Sequence, residues 1–107
     1  GVFTDEPDFY SPNELGEERC YIIREDEKAI VNVGSVGQPR DFDPRASFVV
    51  IYGPGEPINS RPGFKPNAPL GIVEFVRIEY DIAATASKIK ANPNLSDWLG
   101  DRLFEGR

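Results

Sequence analysis

Residues 53–69 constrain this chain more than any other stretch, because five prolines (Pro54, Pro57, Pro62, Pro66, Pro69) and three glycines (Gly53, Gly55, Gly63) crowd into it. Proline lacks a backbone N–H and fixes φ, and glycine loses the most entropy in regular structure, so neither a helix nor an internal sheet ladder suits the segment. A surface excursion is predicted here. It separates two blocks of apolar sequence that must supply the fold.

In the upstream block, Cys20-Tyr21-Ile22-Ile23-Arg24 and Ala29-Ile30-Val31-Asn32-Val33 are β-rich runs around the charged Glu25-Asp26-Glu27-Lys28, and they read as an antiparallel hairpin. Ser47-Phe48-Val49-Val50-Ile51-Tyr52 reads as a third strand. Downstream, residues 71–80 alternate apolar positions with Glu74, Arg77 and Glu79 as a long strand, after which Asp81 can cap a helix over 82–92 that Pro93 ends. A second helix over 95–105 would set Leu95, Trp98, Leu99 and Leu103 on one face, with Trp98 as core packing. The fold class expected is α+β, a mainly antiparallel sheet of about four strands followed by two C-terminal helices. It would form one partial domain: an acidic loop (1–19), strands and a glycine loop (20–52), the Pro/Gly-rich insertion (53–70), and a strand with two helices (71–107).

Composition narrows the function classes. Among 107 residues, twelve Lys and Arg face eighteen Asp and Glu for a net charge of −6, which argues against a phosphate-backbone binder and so against a nucleic-acid partner. No apolar run reaches membrane-spanning length, so no membrane partner and a cytoplasmic location are expected. There is no histidine, the commonest general base and metal ligand, and the single Cys20 excludes an internal disulfide and a Cys-x-x-Cys pair. Cys20 leads into an apolar strand and reads as a structural thiol. Asp5, Glu6 and Asp8 lack the glycine and distal glutamate of a calcium loop and read as solvated acids. With no methionine either, the chain is expected to start within a longer polypeptide. No metal-ligand set built on histidines or paired cysteines is therefore available, and no covalent mechanism is expected.

One stretch carries chemistry. Between Asn32 and Ser47, Gly34 and Gly37 free the backbone to take φ > 0 and aim amides outward, a concavity suited to an anion, while Ser35, Gln38, Arg40 and Arg45 add side-chain donors. A tight loop pinned by Arg–Asp pairs would use the same residues. Arg40 could grip a phosphate or could pair with Asp41 or Asp43; Asn32 and Ser35 could reach a ligand or hold the turn. In the excursion, Phe64 between Arg61 and Lys65 reads as a solvent loop or as the border of a cleft.

The run Asn32-Val33-Gly34-Ser35-Val36-Gly37-Gln38-Pro39-Arg40-Asp41, with Asp43-Pro44-Arg45-Ala46-Ser47 after it, resembles the C-terminal portion of bacterial calcineurin-like metallophosphoesterases. Val73-Glu74-Phe75, Arg77, Tyr80-Asp81, Ala84-Thr85 and Lys88-Ile89 are similar to that family's last strand and penultimate helix, and Leu99, Arg102-Leu103 and Gly106-Arg107 to its closing helix. The likeness covers about 21–47 and 72–107, with the excursion as an insertion, and departs at Val33, where proline is usual, and at Phe42, where a small or polar residue is. It implies part of a four-layer αββα sandwich and a two-metal centre that activates a hydroxide for attack on a phosphate ester. The family's metal ligands lie in Asp-x-His, Gly-Asp-x-x-Asp, Gly-Asn-His and Gly-His-x-His motifs upstream of the glycine loop. By this resemblance the chain is part of a hydrolase and inactive alone, needing an upstream segment that carries the ligands of two divalent metal ions. Asn32, Gly34, Ser35, Gly37, Gln38 and Arg40 would then border the phosphate-ester substrate. The rival reading is a free-standing, non-catalytic interaction or anion-binding module.

Overall fold

The structure, a computed structural model, describes residues 1–6 and 8–107; Pro7, counted above with the acidic segment, lies outside the described residues. Six strands form, β1 (Val2–Thr4), β2 (Phe9–Tyr10), β3 (Cys20–Ile22), β4 (Ala29–Val31), β5 (Ala46–Tyr52) and β6 (Ile72–Ile78). The helices α1 (Ile82–Lys90) and α2 (Trp98–Asp101) follow, and α2 runs into a 3₁₀ turn, Arg102–Phe104. The strands make two three-stranded antiparallel sheets, ordered β2-β1-β4 and β3-β6-β5, so the α+β class holds. Among the described residues no helix is long and apolar enough to cross a membrane.

Pairing differs from the expectation in two places. The predicted hairpin does not form, because β3 pairs with β6 (Tyr21↔Val73) and β4 with β1 (Val2↔Val31), one in each sheet. The reason is the acidic segment, read above as loop. Its Val2, Phe3, Phe9 and Tyr10 are β-formers that pair with each other, and β1 then takes the edge of β4 that β3 would have used. The sheet of about four strands is therefore two sheets of three.

The chain falls into two compact units, the first Gly1–Val33 with Val49–Val76, the second Gly34–Phe48 with Arg77–Arg107. In the first, Val2 from one sheet packs on Tyr21, Val73 and Phe75 from the other, with Leu15, Ile23, Val31 and Val49 around them. Burying side chains of this size is worth about 2 kcal/mol each. The Tyr21 hydroxyl donates to Glu27, and burial, followed by that carboxylate, pushes the phenol up to about 12. A second cluster joins Tyr52, Ile58 and Ile72 with Cys20, Val50, Phe64 and Ala68. Ile58, Phe64 and Ala68 belong to the excursion, so part of it folds inward: Ile58 is only 2% exposed. Burial, then the charge of Glu74, pushes the Cys20 thiol up, which fits a structural role.

Two features tie the excursion to β6. The carboxylate of Glu74, 5% exposed, accepts from the Tyr52 hydroxyl at 2.9 Å and from the Ser60 hydroxyl. Gly71 has φ +114°, and a Cβ there would collide with the carbonyl oxygen of Tyr52. Its own N–H donates to Ala68 and its carbonyl accepts from Ile23, both at 3.1 Å. Only glycine fits that position.

In the second unit Asp81 caps α1 as expected, its carboxylate accepting from Ala84 N at 2.9 Å. Gly100 lies where a Cβ would be 3.0 Å from the Ala86 carbonyl, which lets α2 approach α1 closely, and Leu103 is 2% exposed. The second helix is shorter than predicted, and Trp98 is not core: it is 57% exposed, with the Arg102 guanidinium 4.6 Å from its ring centroid. An i,i+4 arginine over an indole is a surface arrangement that stabilises the ring in water.

Candidate functional site

The glycine loop opens at Gly34, where φ is +84° and a Cβ would stand 2.5 Å from the Ser47 hydroxyl oxygen. Ser47 N donates to the Ser35 carbonyl at 2.8 Å, fastening the loop to the start of β5. The Ser35 hydroxyl then accepts from Gly37 N at 3.2 Å and Gln38 N at 2.8 Å, a side-chain turn that gathers three of the predicted residues. Gly37 does not play the part expected of it. It has no positive φ, and a Cβ there would meet nothing within 4 Å. The amides of 37 and 38, expected to point outward, are engaged by the Ser35 hydroxyl.

Arg40 is exposed, and its one hydrogen bond among the described residues reaches Gln38 Oε1 at 3.5 Å. It pairs with neither neighbouring carboxylate, for a physical reason: both are taken. The Asp43 carboxylate holds Arg45 in a fork, Nε to Oδ1 at 2.9 Å and Nη2 to Oδ2 at 2.6 Å, and accepts from Arg45 N at 3.1 Å. Asp41 is bound by Arg77, whose side chain is 6% exposed and whose Nε also lies 3.7 Å from Asp43. Between the two carboxylates Phe42 takes φ +63° and stands 77% exposed, its N–H donating to the Gly106 carbonyl at 2.8 Å. Gly106, at φ +64°, lies against the Asp43 backbone with no room for a Cβ. The segment carrying Arg40 is thus fixed at its carboxylates while Arg40 faces water.

Asn32 belongs to the first unit, where it extends the β1–β4 ladder by exchanging backbone bonds with Gly1, each 2.8 Å. Sequence reasoning missed Arg77, which lies 36 residues from Asp41. It was legible as a charged residue in a mostly apolar strand and as one of the positions similar to the family's last strand, but nothing in the sequence tied it to Asp41.

Asp43 gives the site a pH dependence. Hydrogen bonding from Arg45, more than the nearby Arg77 charge, lowers its carboxyl from 3.8 to about 2. A depressed acid stabilises the fold above its ordinary pKa and loses that contribution as pH falls through the folded value. Partial solvent screening holds the contribution to about 1 kcal/mol. Urea midpoints of the protein should therefore fall between about pH 4 and pH 2, and Asp43→Asn should flatten that limb while costing stability at neutral pH. An unchanged acid limb in the variant would remove Asp43 from the account.

As to metals, no group of three or more His, Cys, Asp or Glu side chains converges among the described residues, and the two acids of the loop are held by arginines. The donors present do not fit a two-metal centre.

No family model matches the chain. It is similar to a crystal structure of a metallophosphoesterase from Sphaerobacter thermophilus, with 36% identity and a TM-score of 0.54 over 78% of this chain and 28% of that one. It is also 41% identical over 93 residues to an uncharacterized protein of Methanocaldococcus jannaschii, covering 87% of this chain and 31% of that protein. The chain spans under a third of the length of either.

Proposed function

We propose that this chain is the C-terminal part of a metal-dependent phosphoesterase, and that its glycine loop forms a wall of the site where a phosphate ester binds. The observation that carries the reading is Arg40, an exposed guanidinium without an ion-pair partner among the described residues, on a segment anchored by Arg45–Asp43 and Arg77–Asp41. The 36% identity to a metallophosphoesterase supports it. A guanidinium offers a planar fork that matches two phosphate oxygens, and the anchoring fixes the backbone from which it reaches. Gln38 orients that fork from one side, and Gly34 and Ser35 hold the turn beneath it.

Two divalent metal ions are part of the proposal for the whole polypeptide, and because the donors in this chain do not fit them, their ligands would come from a segment upstream. No step of the reaction is assigned to the residues described here beyond binding and orienting the phosphate. The substrate is a phosphate ester, and the upstream segment is the partner this chain needs.

The test is kinetic. In a polypeptide joining the chain to its upstream segment, supplied with manganese, Arg40→Ala should lower kcat/KM for 4-nitrophenyl phosphate by about 10- to 100-fold, the loss of one charge-assisted pair, with Arg40→Lys recovering part of it. Weaker inhibition by inorganic phosphate should accompany the loss. Absence of hydrolysis together with intact phosphate binding would favour the non-catalytic anion-binding module. Arg40→Ala with unchanged kinetics would remove the residue from the site.

A further inference from the structure

We infer that the Pro/Gly excursion holds a binding site of its own for a small aromatic anion, a ring that bears one phosphate or carboxylate group. The segment wraps a cavity of about 340 Å³ lined by Ile58, Arg61, Phe64, Lys65, Ala68 and Ile72. Ligand pockets in proteins begin at roughly 300 Å³, so the space admits one ring with one anionic group.

The lining divides into the two parts such a ligand needs. Ile58 and Ile72 are 2% and 4% exposed and belong to the apolar cluster that Phe64 and Ala68 also join, which provides a wall for a ring and an aromatic face to stack on. Arg61 and Lys65 supply positive charge beside that wall. In a chain of net charge −6 two cations would be expected to find carboxylates, yet among the described residues neither forms an ion pair with one. Arg61 gives one Nη2 donor to the Glu17 carbonyl at 2.8 Å, which positions the guanidinium and leaves its other donors available. The one carboxylate in the lining, Glu56, accepts from Gly53 N at 2.9 Å, and two cations in the lining outweigh its charge. Prolines at 57, 62 and 66 lie in the same lining and restrict its backbone, so little ordering is left to accompany binding. A guanidinium and an ammonium lining the same cavity suit a phosphate or carboxylate, and the apolar wall selects the ring that carries it.

The lining shares no residue with the glycine loop, so its test is independent of the phosphoesterase reading. The protein, labelled with ¹⁵N, is titrated with phenyl phosphate, benzoate and benzyl alcohol. Saturable shifts are expected at the amides of Phe64, Lys65 and Ile72 with the two anions and none with the neutral alcohol; the tighter of the two identifies which acid group the site takes. Lys65→Ala, a change at an exposed residue with no hydrogen bond among the described residues, should weaken binding about tenfold, as should Arg61→Ala, while Arg40→Ala leaves it unchanged. No saturable shift at millimolar anion would overturn the proposal. So would Lys65→Ala binding phenyl phosphate as tightly as the parent, or shifts by benzyl alcohol equal to those by the anions. If Arg40→Ala abolishes binding and Lys65→Ala does not, the anion sits in the glycine loop, and this site falls while the phosphoesterase reading stands.

Discussion

Gly71→Ala should lower the stability of the protein by roughly 3 kcal/mol or more, a fall in Tm of at least about 10 °C. Two effects combine. At φ +114° an L side chain is strained, and the added Cβ meets a backbone atom, the Tyr52 carbonyl oxygen, which no rotamer change can move aside. Backbone bonds at Ala68 and Ile23 hold Gly71 from both directions, so relief requires shifting the entry of β6 itself. Gly63 is an internal control, since its φ is +90° but a Cβ there meets nothing within 4 Å. Gly63→Ala should cost only about 1 kcal/mol, the conformational part alone. Equal losses in the two variants, measured by thermal denaturation, would show that the close approach at Tyr52 contributes nothing.

Glu74→Ala should cost about 2–4 kcal/mol, because it removes the acceptor of a buried phenol and of the Ser60 hydroxyl together. Burial, and then the carboxylate, push the Tyr52 phenol up, so it remains a donor at neutral pH and needs that acceptor. Glu74→Gln retains an acceptor oxygen and presents an amide that a hydroxyl can also accept from, so its cost should be about 1 kcal/mol. Ser60 lies in the excursion, and its release should open residues 53–69 to protease in the alanine variant before the rest of the fold is cut. Denaturant midpoints and limited proteolysis give the two readouts. Glutamine and alanine variants of equal stability, cut at equal rates, would end the idea that Glu74 tethers the excursion.

What could be read from the sequence was local. Asp81 capping α1 depends on residues within one turn of one another, and the structure has it so. The β-rich runs at 20–24, 29–33, 47–52 and 71–80 all contain strands for the same reason. Pairing was not legible, because Val2↔Val31 and Tyr21↔Val73 join residues far apart in sequence and each strand had several partners of equal composition. Trp98 misled, since Leu95 and Leu99 at helical spacing resemble a core face whether or not another surface covers them. At the glycine loop the residue types were readable, whereas the freedom of Arg40 was not. That freedom depends on Arg77, on β6, taking the Asp41 carboxylate that Arg40 would otherwise have found next to it.

The arginine over Trp98 bears on how this molecule can be watched. Trp98 is the only tryptophan, and it sits mostly in water within the helical unit. Unfolding carries that indole from one wet environment to another, so its emission colour should change little, and what change there is reports on the helical ends near Arg102. The phenols of Tyr21 and Tyr52, buried in the sheet unit, carry the opposite signal in near-ultraviolet absorbance and circular dichroism. Following both wavelengths through one denaturation would separate the melting of the helices from that of the sheets without adding any label.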